Sequence, residues 1–272
     1  MIYETVTLGG YAEATLTSVC LSNPTQLSYS PRRAVIVCPG GGYRALSPRE
    51  AEPIAAQFLA AGFATFILHY GIGENASDYR PLKQVALAIR HVRENAEKYF
   101  VDPDYVFVCG FSAGGHLAAS AGILWNSPVL DEIAAGAPRD IVRPTGMILS
   151  YPVISAGEWA HKGSFLRLCG KEDPTEEELN AFSLEKHVTP DTSPAFIWHT
   201  FTDQTVPVQN SIMLADALAK ASIPFELHIF PHGPHGLALC NEFTAVGKPT
   251  FIEPHTAQWV GLALRWVSDF TL

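Results

Sequence analysis

The residues best placed to do chemistry lie in the stretch Val106-Phe107-Val108-Cys109-Gly110-Phe111-Ser112-Ala113-Gly114-Gly115-His116-Leu117-Ala118-Ala119. An apolar, strand-like run meets a glycine-flanked serine, and small residues in a helical pattern follow. This is G-x-S-x-G in the strand-turn-helix context of a nucleophile elbow. A turn that tight needs glycine, because side chains beside the serine would strike the neighbouring strand and helix. It would lift the Ser112 hydroxyl above the sheet, and the helix beginning beyond it would aim N–H groups at developing negative charge. The competing reading is a structural turn serine, and the flanking strand and helix favour the nucleophile.

A serine hydroxyl is a weak nucleophile at neutral pH, so it needs a general base and a group that orients the base. In this architecture the chain order is serine, acid, histidine. Asp203 follows the apolar run Ala195-Phe196-Ile197-Trp198-His199-Thr200, where a parallel sheet collects its site residues. Beyond the next apolar run comes Pro231-His232-Gly233-Pro234-His235-Gly236-Leu237. His235, deeper in the loop and followed by glycine, is the expected base, and His232 is the rim alternative. Asp173 and Asp191 are rival acids, but the first has the context of a helix cap and the second precedes a strand. His116 is expected in the packed interior, four residues beyond Ser112, and His69 and His199, at strand ends, are expected to pack.

A third element is Val37-Cys38-Pro39-Gly40-Gly41-Gly42-Tyr43, a strand running into three glycines. Bare backbone of this kind can close on a ligand and point N–H groups at an oxyanion. Taken alone the triplet could be a plain loop or a phosphate cradle. The cradle fails because no G-K-[ST] follows and the spacing is not G-x-G-x-x-G.

These residues resemble the α/β-hydrolase superfamily, and more narrowly the bacterial esterases and lipases similar to hormone-sensitive lipase and to acetyl-xylan and other sugar-ester esterases. Pro39–Tyr43, Arg49-Glu50-Ala51-Glu52-Pro53 and Gly110–Leu117 look like a subgroup of small intracellular esterases. By that resemblance Ser112, Asp203 and His235 form the catalytic triad, and the backbone N–H groups of Gly41, Gly42 and Ala113 form the oxyanion hole. One departure is Pro39, which stands where related lipases carry histidine. The resemblance implies hydrolysis of a short-chain, acetyl-like ester of a sugar or small oligosaccharide through an acyl-enzyme, with neither metal nor cofactor. A peptidase or thioesterase on the same triad is the alternative, and a catalytically silent ligand-binding relative is a further one.

Short β-branched or aromatic runs alternate with helical patterns, which predicts a mostly parallel sheet with helices on both faces. The expected strands are Ala12–Cys20, Arg33–Cys38, Ala64–Tyr70, Tyr105–Cys109, Gly146–Tyr151, Ala195–Thr200 and Phe225–Phe230. The later ones read as covered on both faces, and the earliest could pair antiparallel. Pro81–Phe100 sets Leu82, Val85, Ala86, Ile89 and Val92 on one helical face, and Trp259, Leu262, Ala263, Trp266 and Val267 repeat that pattern as a core stripe. Asp173-Pro174-Thr175-Glu176 reads as a helix start capped by Asp173, with Glu176–Glu178 solvated. Residues 40 to 235 hold all the site elements, so one domain over 1–272 is expected, with a pocket-forming insertion at about 152–194 over the sheet edge.

Of 272 residues, 47% are hydrophobic and 17% charged, which suits a globular chain with a large core. The formal charge of −9 disfavours nucleic acid and anionic membrane as partners and fits a neutral substrate better than an anionic one. No apolar run approaches the roughly 18 residues of a membrane span. The N-terminus lacks the basic start and apolar core of a secretion signal, so a cytoplasmic location is expected. The five cysteines are scattered without metal or redox spacing and are expected as free, buried thiols.

Overall fold

The computed structural model describes residues 1–22 and 30–271. Among these residues eight strands form one sheet: β1 Ile2–Thr7, β2 Thr15–Cys20, β3 Arg32–Cys38, β4 Ala64–His69, β5 Val101–Phe111, β6 Gly146–Ser150, β7 Ala195–Thr200 and β8 Phe225–Phe230, in the order β1-β2-β4-β3-β5-β6-β7-β8. The β1–β2 and β2–β4 pairs are antiparallel and all others parallel. Ten helices accompany them among the described residues: α1 Glu52–Ala60, α2 Arg80–Glu94, α3 Ala96–Tyr99, α4 Ala113–Ile123, α5 Asp131–Ala134, α6 Lys162–Cys169, α7 Glu176–Asn180, α8 Gln209–Lys220, α9 Glu242–Ala245 and α10 Trp259–Asp269.

Side-chain alternation along the central strands divides the core into two layers. Ala34, Ile36 and Cys38 of β3 and Val106 and Val108 of β5 face the layer holding α2, α4 and α8. Val35, Val37, Phe107, Cys109 and Phe111 face the layer holding α1 and α10. The central strands β3 to β7 are therefore apolar along their buried lengths, where both faces are covered, and only β5 has an uncovered polar stretch near its start, at residues 102–104. β8 departs from that expectation. It is an edge strand with Phe225 and Ile229 exposed, and its Glu226 and His228 side chains pair with each other. β1, absent from the expected strands, is the opposite edge, and its half-exposed Ile-Tyr-Glu-Thr-Val-Thr pattern carries little apolar signal.

The Pro81–Phe100 helix is two helices. α2 stops at Glu94, Asn95 leaves helical geometry, and α3 ends in a left-handed Phe100. α7 begins two residues later than expected. Thr175 is its N-cap, accepting from the Glu178 N–H while the Glu178 carboxylate accepts from the Thr175 N–H, a reciprocal box that Asp173 does not form. His69 is exposed rather than packed. Cys20, Cys38, Cys109 and Cys240 are buried free thiols and Cys169 is half-buried. Burial pushes Cys20 up to about 11 and Cys240 up to about 12, and raises Cys38 and Cys109 still further, so these thiols stay protonated and unreactive. Among the described residues, no helix is long and apolar enough to cross a membrane.

Two buried side chains tie this core to the strand ends that matter below. Trp259 of α10 stacks on Trp198 of β7 with ring centres 5.0 Å apart, and its indole N–H donates to the Ala238 carbonyl. His116 of α4 packs edge-on against Tyr43 and Phe165. Its Nδ1 accepts from the Tyr43 hydroxyl at 2.9 Å, and its Nε2–H donates to the Phe182 carbonyl at 2.9 Å, which fixes the neutral tautomer. Burial lowers the His116 pKa from 6.5 to about 4 against that carbonyl's opposing pull.

Removing the Trp259 ring leaves a cavity and an Ala238 carbonyl held only by the weak Cys240 thiol donor. Trp259→Ala should lower unfolding free energy by about 3–5 kcal/mol in urea titration. For His116 the folded-state pKa lies below the unfolded one, so the unfolded chain binds a proton between about pH 6.5 and 4 that the folded chain refuses. Its stabilisation is complete above pH 6.5 and is lost as pH falls through 4, by roughly 3 kcal/mol in the limit. Urea midpoints across this range should fall with acidification, and His116→Gln should flatten that slope.

Candidate active site

The sequence-predicted groups converge at the C-terminal ends of the parallel strands. Gly40–Gly42 follow β3, Ser112 follows β5, Asp203 follows β7 and His235 follows β8. β5 runs directly into Ser112, which precedes α4 with φ 54° and ψ −117°. A residue with a side chain holds this conformation only when its surroundings enforce it. The Ser112 N–H donates to the Ser150 carbonyl at 3.0 Å, and its carbonyl accepts from Val153 N–H at 3.1 Å and His116 N–H at 3.0 Å. Glycine is required on either side. A Cβ on Gly110 would sit on the Gly114 carbonyl, and one on Gly114 would sit on the carbonyls of Cys38 and Pro39.

The serine hydroxyl lies 2.7 Å from His235 Nε2, and His235 Nδ1 lies 2.6 Å from Asp203 Oδ2. Asp203 Oδ1 accepts from the Thr205 and Val206 N–H groups, each at 2.9 Å. His199 Nε2–H donates to the Val206 carbonyl at 2.8 Å and lies 3.4 Å from Asp203 Oδ2. The Asp203 side chain is fully buried while that of His235 is 16% exposed, so only the histidine end of the pair meets solvent. Burial opposes the charge on Asp203. Hydrogen bonds from His199 and His235, the charge of His235 and the Val206 N–H outweigh it and hold the carboxyl well below the usual carboxylate range. The arrangement can draw the serine proton onto His235 and hold the resulting imidazolium against a permanent carboxylate.

Gly41 and Gly42 line a cavity of about 630 Å³ that also exposes Ser112, Thr205, His235 and Gly236. Ala113 is the first residue of α4, buried directly behind the serine. Gly41 has φ 136°, and a Cβ there would strike the Ala45 carbonyl. The loop closes on itself through Arg44 and Ala45 N–H to the Gly41 carbonyl and Ser47 N–H to the Gly40 carbonyl. Among the other expectations, His232 is exposed and its ring makes no bond to Ser112 or Asp203, while Asp173 and Asp191 are exposed and the carboxylate bonded to the base is that of Asp203.

Three supporting residues were assigned no role from the sequence, although Glu50 lies in the Arg49–Pro53 segment that carries part of the resemblance. Glu50, 3% exposed, accepts from the Gly40 N–H at 2.9 Å and from the Tyr151 hydroxyl at 2.7 Å. Tyr151 also accepts from the Ala238 N–H at 3.0 Å and sets its ring edge-on to His235 at 5.0 Å. It thus links the glycine loop to the histidine loop. Tyr70 donates to the Pro39 carbonyl at 2.5 Å, bracing the loop where related lipases carry histidine. Glu50 could have been singled out as a charge close behind the glycines. Tyr151 could not, because its partners lie far away in sequence. The Asp203 and His235 loops are joined by the Thr200 and Thr202 hydroxyls, both bonded to the Gly233 carbonyl.

The segment between β6 and β7 joins two neighbouring interior strands, and its His161, Gly163 and Arg167 form part of the cavity wall. His161 Nδ1 is 2.9 Å from the Ser164 hydroxyl. Burial, then the charges of His235 and Arg167, lower its pKa and keep it neutral. Among the described residues, no group of three or more His, Cys, Asp or Glu side chains is arranged to hold a metal ion.

The chain is similar to known proteins in both sequence and fold. The BD-FAE family model matches residues 22–218. The chain is 40% identical over 219 residues to endo-1,4-beta-xylanase B of Butyrivibrio fibrisolvens, covering 78% of this chain and 33% of that protein. It is 34% identical over 212 residues to an acetylxylan esterase of Xylanibacter ruminicola, covering 75% of this chain and 41% of that one. The chain therefore spans well under half the length of these two curated relatives. An acetyl ester-xyloside bifunctional hydrolase from Caldicellulosiruptor lactoaceticus superposes with TM-score 0.83 at 33% identity, over 98% of this chain and 96% of that one. With a glycine loop, a strained serine turn and an acid-histidine pair at the ends of a mostly parallel sheet, the chain has the α/β-hydrolase fold and belongs to the BD-FAE family.

Proposed function

We propose that the protein is a serine carboxylesterase that removes short acyl groups, acetyl above all, from sugars or small oligosaccharides. The observation that carries this reading is the continuous chain Asp203–His235–Ser112, ending at a cavity bordered by Gly41 and Gly42. The relatives named as acetylxylan esterase and acetyl ester-xyloside hydrolase support the substrate class.

Ser112 Oγ attacks the ester carbonyl while His235 Nε2 takes its proton, and Asp203 stabilises the imidazolium and fixes its orientation. The carbonyl oxygen becomes an oxyanion beside the N–H groups of Gly41, Gly42 and Ala113, which stabilise it without reorganising. Collapse breaks the C–O bond of the leaving alcohol, and His235 returns the proton to that oxygen. Water then attacks the acyl-serine with His235 again as base, and the carboxylic acid leaves Ser112 with its proton restored. Gly40 is held by Glu50, so the loop backbone is set before substrate arrives.

4-Nitrophenyl acetate should be hydrolysed and an aminoacyl anilide should not, which separates an esterase from a peptidase on the same triad. Ser112→Ala should lower kcat on the acetate by roughly 10⁴-fold or more, and Asp203→Asn by roughly 10³–10⁴-fold, each with KM little changed. Full activity in Ser112→Ala would remove the proposed nucleophile.

A further inference from the structure

The charge of the cavity wall runs against that of the whole chain. The chain has a formal charge of −9. The cavity at Ser112 and His235 is nevertheless lined by Arg44, Arg49 and Arg167 and by a single carboxylate, Glu50. Glu50 is turned inward, with both oxygens engaged by Tyr151 and Gly40. Arg44 is exposed on the glycine loop and Arg167 is half-buried on α6. Arg167 Nη1 is bonded to the Gly163 carbonyl and lies 3.5 Å from the Gly42 carbonyl, which holds the guanidinium at the mouth. Arg49 is braced by the Thr244 carbonyl and by the Phe251 ring at 4.7 Å, and its Nη2 is buried without a hydrogen-bond partner.

Among the described residues none of these three guanidinium groups is in an ion pair; Arg33, Arg80, Arg93 and Arg143 are in none either, so what distinguishes these three is their convergence on one cavity. Three guanidinium groups around one cavity, set against the two buried carboxylates of Glu50 and Asp203, leave its wall with an excess of positive charge in a chain that is acidic overall. The repulsion expected from the net charge is screened beyond about 8 Å at physiological salt, so at contact range the local arginines decide.

We infer that this cavity selects esters carrying a carboxylate, with Arg44 and Arg167 as its partners and Arg49 adding to the field. Guanidinium and carboxylate match as planar, charge-assisted pairs, stronger at a half-buried mouth than on open surface. The carboxylate can belong to the alcohol half, as in an acetylated uronic acid sugar, or to the acyl half, as in a dicarboxylic half-ester. The overall acidity had suggested a neutral substrate, and the placement of the arginines reverses that expectation for the site. The inference rests on the ester hydrolysis proposed above.

The experiment compares kcat/KM within two matched pairs. Acetylated methyl glucuronide is set against acetylated methyl glucoside, and ethyl hydrogen succinate against ethyl butanoate. Each is measured at low and high salt for the wild-type protein, Arg44→Met, Arg167→Met and the double Lys variant. One pair should favour its anionic member by about tenfold, and that pair identifies which half carries the carboxylate. The ratio should shrink with added salt, fall towards one in the Met variants and persist with Lys. Turnover of the neutral ester in the same variant reports correct folding, and Arg44, being exposed, tests the idea if Arg167→Met is unstable. Ratios at or below one in both pairs, with the neutral esters hydrolysed, overturn the inference alone. A preference indifferent to the Met substitutions also overturns it. No hydrolysis of any ester, neutral ones included, overturns the esterase reading and the inference with it.

Discussion

The backbone at Ser112 is the constraint around which the rest is arranged. A serine at φ 54° and ψ −117° sits outside the regions that side chains favour, at a cost of about 1–3 kcal/mol. That conformation persists because β5 and α4 leave no alternative. The Ser112 N–H and C=O are held by β6 and the residues after it, and Gly110 and Gly114 permit a strand-helix contact closer than any Cβ allows. Without the strain the hydroxyl would lie along the strand, where neither the histidine loop nor the glycine loop could meet it.

Positioning the other groups against this fixed point falls to a buried polar network. Tyr151 follows β6, the neighbour of β5, and reaches both Glu50 under the glycine loop and Ala238 in the histidine loop. Gly233 is tied to the Asp203 loop through Thr200 and Thr202. These bonds span 2.7 to 3.1 Å and few of the atoms see water, so the loops behave as one assembly on the sheet's end. α10 supports that assembly from below, since Trp259 holds the Ala238 carbonyl while stacking on Trp198 of the strand that leads to Asp203. The acid-histidine-serine geometry thus belongs to the whole sheet.

The parts of this legible in the sequence were those whose constraints are local. Gly110 and Gly114 around Ser112 announce a tight turn, and Asp203 and His235 follow apolar runs that are strands at the expected places. Long-range choices were less visible. Apolar content alone did not show that β8 is an edge, because Phe225-Glu226-Leu227-His228-Ile229-Phe230 differs little in hydrophobicity from a strand with one covered face. β1 pairs only with β2 and buries little, so its signal was weak. The α7 start is ambiguous in the sequence because both Asp173 and Thr175 have a glutamate three residues on, and only backbone geometry chooses between them. Tyr151, Arg167 and Arg49 acquire their roles from Ala238, Gly42 and Thr244, which lie 87, 125 and 195 residues away.

Ser112 as nucleophile is the claim on which mechanism and selectivity both depend. Incubating the protein with a fluorophosphonate and locating the adduct by peptide mass spectrometry tests it directly, because such reagents trap an activated serine. One phosphonyl group per chain, carried on Ser112 and absent from Asp203→Asn under the same conditions, is the predicted result. An unlabelled chain, or an adduct on any other residue, would contradict it.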